Sequence, residues 1–115
     1  MGVEVCKGSG MGPSVDVRIE GGVATLTLCD EARRNAMSPE LGESLAEAVA
    51  QLKTRAEVRA VVLTGAGGAF SAGGDLAMLE RLQQLSFEEA RRFMLHFYGR
   101  YLSVLDLEVP VVAAV

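Results

Sequence analysis

Thr64-Gly65-Ala66-Gly67-Gly68-Ala69-Phe70-Ser71-Ala72-Gly73-Gly74-Asp75-Leu76 holds five of the chain's 13 glycines. It follows a short aliphatic run, Val58-Arg59-Ala60-Val61-Val62-Leu63. A strand, a glycine turn and a helix start near Asp75 is the direct reading. Three familiar glycine signatures do not fit. A phosphate loop needs Gly-Lys-Ser/Thr, and the segment has no lysine. A dinucleotide fingerprint needs glycine where Phe70 stands. A serine elbow needs glycine where Ala69 stands. Another use remains. Gly73-Gly74 lets backbone approach a ligand with no side chain in the way. Asp75 as helix cap leaves amide N–H groups pointing outward at the positive end of a dipole, which favours an anion or a developing oxyanion. A plain connection that uses glycine for geometry alone is the competing reading, and it is common.

Working outward, Val15, Val17 and Ile19 alternate with Asp16, Arg18 and Glu20, the period of a half-buried strand. Gly21-Gly22 makes a hairpin turn into a second strand, Val23 to Leu28. Ser38 caps a helix with Pro39 at its first position, and Leu41, Leu45, Ala48, Val49 and Leu52 form its apolar face. That helix ends near Lys53 to Ala56. The aliphatic run after it predicts a strand, Val58 to Thr64, buried on both faces. Ser86-Phe87-Glu88-Glu89 is a capping box. It opens a long helix whose stripe is Ala90, Phe93, Met94, Phe97, Tyr101, Leu102 and Leu105. Pro110 breaks this pattern, and Val111 to Val115 begins another strand that needs neighbours. The class is α/β. Residues 1–13 are expected to be a flexible tail. Residues 14–115 are expected to be one domain, and the unfinished last strand points to truncation.

Composition narrows the function. Half of the 115 residues are apolar, and 15 Asp and Glu outnumber 11 Lys and Arg, for a net charge of −4. A disordered chain would be poor in Val, Leu and Ile. A nucleic-acid module would show a basic stripe, so no nucleic acid partner is expected. Cys6, Cys29 and His96 are too few for a zinc site, so no metal is expected. The two cysteines show no disulfide framework, which predicts a reducing, cytoplasmic setting. No stretch approaches the roughly 20 apolar residues of a membrane span.

Four segments, in order and at compatible spacing, carry a resemblance: Leu28 to Ser38, Arg59 to Gly65, Ala69 to Leu76 and Pro110 to Val115. Together they resemble the enoyl-CoA hydratase/isomerase (crotonase) superfamily over nearly all of residues 15–115. The resemblance implies a crotonase-like spiral of ββα units, present here as its incomplete N-terminal part. It implies an acyl-CoA thioester substrate, no prosthetic group, and homo-oligomers, trimers or dimers of trimers. The default reaction is hydration of a 2-enoyl-CoA through an enolate held by two backbone N–H groups. Gly74 matches the first of those donors. Ala72, Asp75 and Leu76 match positions that wrap coenzyme A, and Arg33 and Ala36 fall in the other coenzyme A segment. Cys29, Asp30 and Glu31 depart from the family's Asn-Arg-Pro. The second donor and the catalytic acids belong to segments absent from these 115 residues. Losing one donor costs about 10²–10³ in rate, and losing acid/base groups about 10²–10⁴. The isolated chain is therefore expected to be inactive. Isomerase, decarboxylase and thioester hydrolase chemistry remain alternatives, as does a non-catalytic coenzyme A-binding or assembly module. A serine peptidase of the same fold ranks last, for want of the elbow.

Other groups read as structural. His96 lies among Glu89, Arg92, Arg100 and Ser103 on the polar side of its helix, with no evident partner for a base. Glu80 reads as solvated, Arg91-Arg92 as exposed charge, and Phe93, Phe97 and Tyr101 as core or subunit contact.

Overall fold

The computed structural model describes residues 12–115. The expected tail, residues 1–13, falls almost wholly outside them. Strand β1, Ser14–Glu20, pairs antiparallel with β2, Val23–Cys29. The turn between them uses Gly21 and Gly22 at φ 61° and 83°, a region open to glycine at no steric cost. Helix α1, Pro39–Leu52, crosses back to β3, Ala60–Gly65, which lies parallel to β2. Helices α2, Leu76–Leu82, and α3, Phe87–Tyr101, follow; a 3-10 turn, Leu102–Asp106, then leads into β4, Val111–Ala113. β4 extends the sheet parallel to β3, in the order β1-β2-β3-β4.

One face of the sheet carries Ala24, Leu26 and Val61 against Leu45, Ala48, Val49 and Leu52 of α1, and all seven side chains are buried. Complete burial of side chains the size of Leu26 or Leu45 is worth about 1.5–3 kcal/mol each. The helix side of this core, Leu45, Ala48, Val49 and Leu52, is the apolar face that the three-and-four spacing predicts. Val15, Val17 and Ile19 of β1 pack on its margin, as the alternating pattern predicts.

Several expectations need correction. β3 is not buried on both faces: Val61 is fully covered, while Val62, Leu63 and Thr64 keep partial exposure. The strand also starts two residues later than expected, since Val58 closes a turn by donating to Arg55 O at 3.1 Å. The stripe on α3 divides. Phe97 is buried and Tyr101 is partly buried, but Leu102 and Leu105 fall in the 3-10 turn and are 53% and 76% exposed. A 3-10 segment turns about 120° per residue, so an α-helical stripe cannot continue through it. The expected strand Val111 to Val115 is confined to three residues and is exposed. Cys29 is disulfide-bonded, against the expectation of reduced thiols.

Candidate functional site

The site forms where the segment after β2 meets the glycine segment after β3. A 3-10 turn, Glu31–Arg33, leads into Arg34 and Asn35, both in the left-handed region at φ 54° and 57°. Such backbone costs on the order of 1 kcal/mol per non-glycine residue, least for asparagine. Asn35 is completely buried, and its side chain meets that cost with hydrogen bonds. Its Oδ1 accepts from Asp30 N at 2.8 Å. Its Nδ2 donates to Ala66 O at 3.0 Å and to Ala69 O at 2.8 Å.

Main-chain bonds complete the join. Ala72 N donates to Arg34 O at 2.9 Å and Met37 N to Gly73 O at 2.6 Å. Ser71 Oγ donates to Asn35 O at 2.7 Å and accepts from Gly73 N at 3.1 Å. The peptide between Gly73 and Gly74 is thereby gripped by its oxygen. A planar trans peptide points its N–H opposite to its C=O. Gly74 N–H therefore points away from Met37, and Gly74 is exposed. Among the described residues nothing accepts that proton.

Glycine has different reasons along this loop. Gly73 sits at φ 96°, which L side chains rarely adopt. A Cβ on Gly65 would lie 2.6 Å from Phe70 O and 2.8 Å from Asn35 Nδ2. At Gly74 a Cβ would meet only Leu79, at an ordinary 3.6 Å. Neither packing nor backbone strain demands glycine at Gly74.

The six residues singled out from sequence converge here. Asp75 Oδ2 accepts from Met78 N at 3.1 Å, the expected cap of α2. Its Oδ1 faces Arg33 Nη1 at 3.8 Å, and about half of the Arg33 side chain is exposed. Leu76 is 76% exposed, an unusual position for leucine at the first turn of a helix. Ala72 is exposed as well. Ala36 differs: it is buried. Sequence reading missed Asn35 and Ser71 as the fasteners. Their signal was available, since Asn35 is the sole asparagine and sits beside a helix cap.

Sequence reading also left His96 without a partner. The structure supplies one from α1: Glu43 Oε2 lies 2.6 Å from His96 Nε2, and Glu43 Oε1 lies 3.2 Å from Arg100 Nε. The hydrogen bond to His96, aided by the Arg100 charge, holds the Glu43 carboxyl below the usual range. All three groups are about half exposed. A groove of about 420 Å³ lies elsewhere, between Leu52, Lys53, Val58, Asp106 and Leu107. It opens at the end of β3 opposite the glycine loop. Among the described residues no cluster of His, Cys, Asp and Glu has the makings of a metal site. No helix among them is long and apolar enough to cross a membrane.

The profile of the enoyl-CoA hydratase/isomerase family matches residues 18–115. The chain belongs to the enoyl-CoA hydratase/isomerase family. A Thermus thermophilus protein classed with the enoyl-CoA hydratases is 48% identical over 100 residues, 86% of this chain and 40% of its own length. Bacillaene synthase decarboxylase of Bacillus subtilis is 31% identical over 85% of this chain and 37% of its own. An enoyl-CoA hydratase structure from Polaromonas superposes with a TM-score of 0.78 at 31% identity, covering 89% of this chain and 40% of the other. The chain thus spans about two fifths of the family relatives it matches, and it carries the crotonase fold over that span.

Proposed function

We propose that the chain binds an acyl-CoA thioester at the glycine loop, with Gly74 N–H donating to the thioester oxygen. The observation that carries this is the Gly73–Gly74 peptide, gripped at its oxygen by Met37 and leaving, on an exposed residue, an N–H with no acceptor among the described residues. A preorganised donor costs no reorientation when negative charge develops on the oxygen. The dipole of the short helix α2 adds to the same field. Arg33 stands beside Asp75 with much of its guanidinium in solvent, suited to the phosphates of coenzyme A. Ala72 and Leu76 offer exposed apolar surface for the pantetheine and acyl parts.

The reaction proposed for the whole protein is hydration of a 2-enoyl-CoA through an enolate. The resemblance assigns these 115 residues one of two oxyanion donors, and residues 14–115 the first part of a crotonase-like domain. Trimeric assembly is part of the same proposal. Exposed Leu95, Tyr98, Leu102 and Leu105 support it, as apolar surface in search of cover.

The test compares affinities for acetyl-CoA and for S-ethyl-CoA, the thioether without a carbonyl. Acetyl-CoA is expected to bind more tightly, and Gly74→Pro, which removes the N–H, is expected to abolish the difference. Equal affinities for the two ligands in the unaltered protein would refute the proposed donor.

A further inference from the structure

We propose that Asn35 is a positioning residue for Gly74, acting through the loop and without touching substrate; this rests on the reading of Gly74 as the thioester donor. The bonds form a continuous chain. The Asn35 side chain joins Asp30, Ala66 and Ala69, so it spans the loop after β2 and both sides of the glycine turn. Its main-chain oxygen holds Ser71 Oγ, and Ser71 Oγ holds Gly73 N–H. Two residues after Asn35, Met37 N–H holds Gly73 O. Both peptide planes flanking Gly73 are thereby gripped from the Asn35 segment, and the second of them carries Gly74 N–H. The glycines at 67, 68 and 73 leave this loop little stiffness of its own, with φ of 80°, 86° and 96°. Orientation must come from outside the loop, and a fully buried amide using both donors and its oxygen supplies it.

The role is separable from folding. Asn35→Gly accepts the left-handed backbone without strain while deleting the amide. Ser71→Ala removes the hydroxyl between Asn35 and Gly73 and leaves the amide in place. Both variants and the unaltered protein would be titrated with acetyl-CoA and S-ethyl-CoA, with far-UV circular dichroism to establish folding. Loss of positioning in Asn35→Gly is expected to weaken acetyl-CoA binding on the order of tenfold, the worth of about one hydrogen bond, with S-ethyl-CoA nearly unchanged. Ser71→Ala is expected to move the same ratio severalfold. A purely structural role would weaken both ligands together, and that result in a folded variant overturns the proposal. So does a preference for acetyl-CoA that survives in folded Asn35→Gly. If Asn35→Gly does not fold, Ser71→Ala decides, and an unchanged ratio there overturns the proposal. An unaltered protein with no thioester preference overturns the reading of Gly74 itself, a distinct failure visible before any variant is made.

Discussion

The Tyr101 hydroxyl donates to the Ser38 carbonyl at 2.6 Å, tying the end of α3 to the cap of α1. Ser38 is completely buried, and its Oγ accepts from Leu41 N at 3.2 Å. The Tyr101 ring packs on Gly42, where a Cβ would approach its edge to 2.7 Å, and tilts against Phe97 at 4.9 Å. Burial, together with the negative charges of Asp75, Glu40 and Asp30, pushes the phenol well above its usual range and keeps it a donor. Since Met37 precedes Ser38, α3 also braces the segment that grips Gly73.

Tyr101→Phe is therefore expected to cost about 0.5–1.5 kcal/mol, because Ser38 O retains Gly42 N at 3.1 Å as a second partner. Chemical denaturation measures this. A loss above about 3 kcal/mol would mean that the ring packing had failed as well.

Gly65 and Gly74 are expected to respond oppositely to alanine. Gly65→Ala drives a methyl into Phe70 O and Asn35 Nδ2, and is expected to cost at least about 2 kcal/mol. Gly74→Ala meets only Leu79 at 3.6 Å and keeps its N–H, so stability and thioester preference should both persist. Urea unfolding of the two variants side by side checks the pair.

The Glu43–His96 contact gives a pH dependence with a defined sign. Glu43 is lowered in the folded state, first by its hydrogen bond with His96. Its contribution is present above the unfolded value and fades as pH falls through the folded one. Both groups are half exposed, so the effect stays below about 1 kcal/mol. Glu43→Gln is expected to lower the melting temperature slightly at neutral pH, with the difference shrinking as pH falls through and below the usual carboxylate range. A constant difference across that window would exclude the ion pair as its source.

Much of this fold was legible because it rests on local chemistry. The Gly21-Gly22 turn, the Ser38 cap with Pro39, the Ser86–Glu89 box and the α1 face all stand where spacing put them. What escaped depends on contacts distant in sequence. Glu43 and His96 are 53 positions apart, and Asn35 and Ala69 are 34 apart. No periodicity links such pairs; only the crossing of elements does. The α3 stripe was half right, since spacing identifies an apolar face but not the residue at which α-helix becomes 3-10 turn. At the loop, the family motif led to Gly74, while the reason its amide faces outward lies in Met37 and the Gly73 oxygen.

The most direct measurement is the ¹H–¹⁵N resonance of the Gly74 amide during titration with acetyl-CoA and, separately, with S-ethyl-CoA. A hydrogen bond to the thioester oxygen moves the Gly74 proton downfield with acetyl-CoA and leaves it near its starting position with the thioether. A Gly74 resonance that stays in place with both ligands, or moves equally with both, would contradict its role as the thioester donor.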